Sequence, residues 1–139
     1  MFPHVLQAMR RVPREAFVDP GLEEFAYEDS PLSIGEDQPI SQPYVVALMI
    51  EAADLMSGET VLDVGAGSGY AAAVASLIAK RAFAIERHRT LGESARDRLQ
   101  DLGYDNIDLR IGDGTKGWPE AAPFVVILVA AGEPECLRR

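Results

Sequence analysis

Cysteine is nearly missing from the chain: Cys136 stands alone among 139 residues. No internal disulfide can form, and nothing beside that thiol has metal-ligand spacing. A lone cysteine of this kind reads as a reduced thiol in the cytosol. Long apolar runs are missing too. No stretch approaches the ~20 apolar residues a membrane span requires, and no basic N-terminal segment leads into an apolar one as a secretion signal would. A cytoplasmic, soluble protein with no membrane partner is the expectation. Positive charge is scarce, with 13 lysines and arginines against 22 aspartates and glutamates, a net charge of −9 at pH 7. The summed field repels phosphate backbones, so nucleic acid is not an expected partner. The remainder is ordinary for a globular chain: 47% hydrophobic and 25% charged residues argue against extensive disorder. The length predicts a single domain over residues 1–139 with one core.

The chain is organised around Val61-Leu62-Asp63-Val64-Gly65-Ala66-Gly67-Ser68-Gly69-Tyr70. Four residues suited to a buried strand run into three glycines at alternate positions, and Ala71 to Ile78 follows as a strong helix-forming run. Strand, glycine turn, helix is the predicted order. Glycine lacks a Cβ, so such a turn can take positive φ and let a ligand lie against bare backbone, while free N–H groups at a helix start favour an electron-rich group. A nucleotide-type cofactor site is expected, and spacing bears on its kind. The dinucleotide fingerprint is G-x-G-x-x-G, whereas this one is G-x-G-x-G and ends on Tyr70. After the predicted strand Ala82-Phe83-Ala84-Ile85 comes Glu86, 21 positions beyond Gly65, where an acidic side chain can accept from both hydroxyls of a ribose. A ribose acceptor there serves NAD and S-adenosyl-L-methionine alike. The glycine pattern, with Asp63 just ahead of it, fits S-adenosyl-L-methionine better, because that ligand has no pyrophosphate to cradle. A dinucleotide site and a ligand-free structural turn stay open as other readings.

In chain order, Phe2 to Arg11 places Phe2, Val5, Leu6 and Met9 on one side of a helix, and Val12 to Val18 adds a short second one with Pro13 near its start. Together they predict a helical lid over about residues 1–20, packed on a core of about 40–139. Tyr27 to Gln38 lacks periodicity and reads as a loop. Ser41 is a candidate N-cap for a helix with Pro43 in its first turn and an apolar face running toward Leu55. Thr90 to Leu102 is amphipathic, with Gly103 as its C-cap. Ile107 to Ile111 alternates like a strand and ends in Gly112-Asp113-Gly114, where Asp113 could accept from an adenine amino group or simply hold a turn. Pro123 to Ala130 suits a strand covered on both faces. Alternating strands and helices predict an α/β fold with a parallel sheet ordered 3-2-1-4. In that order the apolar strand 124–130 lies at an open edge, which invites self-association with a second copy.

With Ile40-Ser41-Gln42-Pro43, the glycine turn, Glu86, Gly112-Asp113-Gly114 and Gly117-Trp118-Pro119 in register, the chain resembles the protein-L-isoaspartate O-methyltransferases. The likeness runs from Val12-Pro13-Arg14-Glu15-Ala16-Phe17-Val18 through Ala26-Tyr27-Glu28-Asp29 to Pro134. It implies a Rossmann-like fold that uses S-adenosyl-L-methionine to methylate the α-carboxylate of isoaspartyl residues in damaged proteins. The ester then closes to a succinimide, whose hydrolysis restores some aspartate. Carried over, Gly65, Gly67 and Gly69 line the cofactor with Asp63 beside them. Glu86 takes the ribose, Asp113 with Gly114 takes the adenine side, and Ser41 matches the active-site serine. A carboxylate with a pKa near ~4 is ionised at neutral pH and attacks the sulfonium methyl directly, so Ser41 orients it and no strong base is needed. His4 and His88 fall in no matching motif and read as surface or packing residues.

The chain also departs from the family pattern. Pro39 stands where a threonine is usual, Val125 where an aspartate opens the fourth strand, and Ala130 where a threonine closes it. Family members continue with further strands, including one that pairs with strand four, so the fold is expected to be C-terminally incomplete. A homologue that binds S-adenosyl-L-methionine, or only folds, without turnover is the alternative these departures motivate. An NAD-dependent oxidoreductase is more distant, given the glycine spacing.

Overall fold

The computed structural model describes residues 2–18, 22–26, 32–33, 39–40, 43–129 and 136–138. Helix α1 (Pro3–Arg11) leads into 3-10 turns at Arg14–Phe17 and Glu23–Phe25. Two short strands, β1 (Leu32–Ser33) and β2 (Pro39–Ile40), pair antiparallel, so the expected loop from Tyr27 to Gln38 contains one arm of a small ladder. Then come α2 (Pro43–Ala52), β3 (Thr60–Val64), α3 (Tyr70–Ser76), β4 (Arg81–Glu86), α4 (Arg89–Asp101), β5 (Ile107–Ile111), a 3-10 turn at Gly114–Lys116, β6 (Val126–Val129) and β7 (Cys136–Arg138).

The main sheet has the order β5-β4-β3-β6-β7, and its first four strands are parallel. That is the predicted order 3-2-1-4, as helical crossovers between parallel strands require. The expected open edge is overturned. Strand β7 pairs antiparallel with β6, Leu137 opposite Leu128, so the chain's own residues flank the apolar strand on its outer side. The strand begins later than expected, at Val126, although the Val125 N–H already donates to Thr60 C=O (3.3 Å); Ala130 lies outside the described residues.

Two devices set the helix ends. In α2 the N–H of Asp54 donates to Glu51 C=O (3.0 Å) and that of Leu55 to Ile50 C=O (3.4 Å), with Asp54 at φ 54°. This left-handed closure stops the helix at Ala52, short of Leu55, yet still buries Leu55. Helix α4 closes the same way, with Gly103 at φ 86° and the Tyr104 N–H on Leu99 C=O (3.0 Å). The expected role of Gly103 is therefore the observed one.

Side chains alternate across a sheet, so register assigns faces. Asp63, Ala84, Leu109 and Leu128 share one face, while Leu62, Phe83, Asp108 and Ile127 share the other. On the first face Val61, Ala82, Val126 and Leu128 form one core with buried residues of all four helices, among them Val5, Ile50, Val74 and Leu99. On the second, Trp118 and Phe124 pack edge-on against Phe83, with ring centroids 5.2 and 5.4 Å away. Arg14 is fully buried beneath the N-terminal segment. Its Nε donates to Ala26 C=O and its guanidinium lies 4.7 Å from the Tyr70 ring centroid, tying the 3-10 turn to the start of α3. Among the described residues no helix is long and apolar enough to cross a membrane.

Candidate functional site

The parallel strands deliver their carboxyl ends to one rim, where ligands sit in open α/β sheets. Strand β3 reaches it at Val64, and the chain must turn at once into α3. Gly65, Gly67 and Gly69 take φ values of 87°, 57° and 91°, which side chains with a Cβ rarely adopt. Close approach adds a second constraint at Gly69, where a Cβ would sit 3.3 Å from Leu99 Cδ1 of α4.

The loop is tied down by the protein itself. The amides of Gly65 and Ala66 both donate to Ile85 C=O of β4, at 2.9 and 3.0 Å. That of Gly69 donates to Ala66 C=O (2.9 Å), and Arg98 Nη1 of α4 holds Ser68 C=O (2.9 Å). Four amides of the loop thus have protein acceptors, the fourth being Gly67 on Glu86; the free N–H groups of the sequence reading belong to the start of α3, at Tyr70 and beyond.

Glu86 ends β4 as a buried residue, only 4% exposed. Oε1 accepts the Gly67 N–H at 2.7 Å. Oε2 accepts the His88 backbone N–H at 2.9 Å and lies 2.9 Å from His88 Nδ1. One carboxylate thus joins the glycine loop to the start of α4. Gly92 allows that approach, since a Cβ there would sit 2.6 Å from Ile111 Cγ1 and 3.6 Å from Glu86 Cβ.

Asp63 lies on the helix-covered face, 2% exposed, and neither carboxylate oxygen has a hydrogen-bond partner. Burial, and then the charge of Glu86, push its pKa up to about 7. A carboxyl group with nothing to bond is costly in a packed interior, and this one is next to the glycine loop in the chain.

At the end of β5, Asp113 Oδ1 accepts from Thr115 N (2.9 Å) and Thr115 Oγ1 (2.7 Å), capping the short 3-10 turn. Its turn-holding role is the observed one; Asp113 is exposed at the same rim. Gly114 is required by packing, because a Cβ there would lie 2.5 Å from Val64 Cγ1. The rim thus brings together Asp63, Gly65, Gly67, Gly69 and Glu86, with Gly114 against Val64. Ser41 and Ala130 lie outside the described residues. Trp118 belongs to the opposite face, under the Arg110 guanidinium (4.9 Å).

Three contributors escape the sequence reading: His88, Arg98 and Gly92. For His88 the one available signal is its place two residues past Glu86. Arg98 and Gly92 act through α4 packing, which no motif records. Among the described residues no group of three or more histidines, cysteines or carboxylates could hold a metal.

The side-chain polar atoms that Asp63 and Glu86 bring to the rim are carboxylate oxygens, which accept hydrogen bonds from hydroxyl or cationic groups. Carboxylates and bare backbone line the loop, and Arg98, the arginine that reaches it, is engaged at least in part by Ser68 C=O.

Comparisons with known proteins follow the same line. A family model described as Protein-L-isoaspartate(D-aspartate) O-methyltransferase (PCMT) matches residues 1–138. A protein-L-isoaspartate O-methyltransferase of Methylorubrum extorquens is 62% identical over 137 residues, 96% of this chain and 60% of its own length. A solved protein-L-isoaspartate O-methyltransferase is 32% identical with a TM-score of 0.83, over 92% of this chain and 43% of that one. A Plasmodium falciparum structure described by the same activity, in complex with S-adenosyl-L-homocysteine, has a TM-score of 0.73 over 98% of this chain and 80% of its own. At 17% identity it speaks to the fold alone. The chain spans about 60% of the length of the curated relatives it matches.

Proposed function

The chain belongs to the protein-L-isoaspartate(D-aspartate) O-methyltransferase family, and on that premise we propose that its rim holds S-adenosyl-L-methionine and that the protein methylates the α-carboxylate of isoaspartyl residues in damaged proteins. The observation that carries the reading is Glu86: a buried carboxylate at the carboxyl end of β4, bonded to the Gly67 amide of the glycine loop. The residues fit the group. Three left-handed glycines keep Cβ atoms off the loop, and the orphaned Asp63 gives a buried acid beside it.

When bound, the cofactor supplies an electrophilic methyl on a sulfonium. Everything else falls to the chain. Glu86 accepts from the ribose, and Gly65 to Gly69 offer a bed without side chains on which the ligand lies. Asp113 and Gly114 bound the adenine side. Ser41, carried over from the family, donates to the substrate carboxylate and aims it. That carboxylate is ionised at neutral pH, so no residue needs to remove a proton, and catalysis reduces to alignment and exclusion of water. We further propose that residues 1–139 act as one cofactor-binding unit, with the N-terminal helical segment over about 1–20 as its lid, in a cytoplasmic setting.

Two measurements test this reading. Calorimetric titration with S-adenosylhomocysteine is expected to show saturable binding that Glu86→Gln weakens by roughly 10- to 100-fold, the scale of a hydrogen bond to a charged acceptor. Methyl transfer to an isoaspartyl peptide, with the aspartyl peptide as control, tests turnover. Absence of binding would falsify the cofactor assignment; binding without transfer removes the catalytic one.

A further inference from the structure

The acceptor positions of Glu86 can be counted. An ionised carboxylate offers about four lone-pair sites, two on each oxygen. Oε2 faces two nitrogen donors, the His88 amide and His88 Nδ1, both at 2.9 Å. Oε1 has one, the Gly67 amide at 2.7 Å. Two of the three are backbone groups fixed by the loop and by the start of α4. The third belongs to a side chain that can rotate, and the His88 side chain is 23% exposed, so it has solvent to turn into. As the site stands, one acceptor position remains on Oε1 and none on Oε2. A ribose that gives one hydroxyl to each carboxylate oxygen therefore competes with the imidazole.

We propose that His88 is a displaceable stand-in for the ribose: its Nδ1–H occupies the position on Glu86 Oε2 that a second sugar hydroxyl takes, and the ring swings out when the diol docks. This inference rests on the cofactor reading above and adds a specificity-determining residue to it. In the free protein the imidazole keeps a buried carboxylate bonded. In the complex, the lost imidazole bond offsets part of what the second hydroxyl contributes. The site therefore discriminates a full ribose from a deoxyribose less sharply than a bare glutamate would.

The test is a binding cycle on the intact chain with S-adenosylhomocysteine and its 2′-deoxy and 3′-deoxy analogues. His88→Ala removes the competitor and keeps the backbone amide. It is expected to tighten S-adenosylhomocysteine by about five-fold, the worth of one net hydrogen bond, and to leave unchanged the deoxy analogue that lacks the hydroxyl for Oε2, which in the wild type is the more tightly bound of the two analogues because the imidazole stays in place. Discrimination against that analogue grows by the same factor. His88→Asn, whose amide nitrogen can mimic Nδ1, is expected to restore wild-type discrimination and serves as the folding control. In ¹⁵N spectra of the wild type, the His88 imidazole Nδ1 signal should lose its hydrogen-bonded shift on saturation with S-adenosylhomocysteine. Equal weakening of all three ligands by His88→Ala would mean the ring merely orients Glu86, and unchanged affinities would mean it does neither; both overturn the proposal. If the wild type binds none of the ligands, the cofactor reading itself has failed.

Discussion

Asp63 is the residue whose chemistry is least like its ordinary self. Its pKa is pushed up to about 7 from 3.8 by burial and by Glu86. The folded chain therefore holds a proton that the unfolded chain releases between about pH 4 and pH 7. More protons bound in the native state means that stability is greatest below the lower value and is lost as pH rises toward the upper one, with a slope of at most ~1.4 kcal/mol per unit. Asp63→Asn keeps the shape and removes the charge. Its melting temperature is expected to fall less than that of the wild type between pH 5 and pH 8; parallel pH profiles for the two would refute the assignment. Sequence reading placed Asp63 and Glu86 at the site because a strand end and a ribose-acceptor spacing are both written in the chain. It could not see that one carboxylate stays unpartnered while the other gathers three donors. Those states depend on which donors the fold carries to each oxygen.

At the scale of elements, the turn from β5 is governed by a single close contact. A Cβ on Gly114 would stand 2.5 Å from Val64 Cγ1 at the end of β3, so Gly114→Ala forces one of two strand ends to shift. Overpacking of this kind costs roughly 1–3 kcal/mol, and trimming the opposing side chain with Val64→Ala should recover part of it. Chemical denaturation of the single and double variants measures the coupling, and simple additivity would show that the contact is not the cause. Helices were legible wherever periodicity and a terminator coincide, as in α4 with Gly103. They were over-extended in α2 because the stop there is Asp54 in a left-handed conformation, which an aspartate does not announce. The antiparallel pair β1 and β2 was missed because two-residue strands carry no alternation.

For the whole molecule, topology was readable because parallel strands joined by helices admit few arrangements, and the four-strand order follows from that restriction. What closes the sheet beside β6 was not readable: Cys136–Arg138 has no strand signature, and its pairing is set by proximity to β6. Among the described residues the sheet ends in β5 on one side and β7 on the other. Asn106 C=O and Gly112 N–H point toward β4, at 3.0 Å from Ala82 N and Glu86 O, so the peptide groups of Leu109 face outward. There Arg96 Nη2 of α4 caps Leu109 C=O at 3.0 Å. A charged side chain laid along an edge discourages pairing with another chain. Arg96→Ala should raise self-association with concentration in sedimentation velocity, whereas a variant as dispersed as the wild type would show that the edge needs no guard.

The double grip of Ile85 C=O on the Gly65 and Ala66 amides bears on how a ligand is received. A loop already fastened to the neighbouring strand forfeits little freedom when something lands on it, so the contour of the seat is inherited from β4 before any guest arrives. Tolerance to change in this protein should then follow the strand beneath the glycines more closely than the glycine loop's own sequence would suggest.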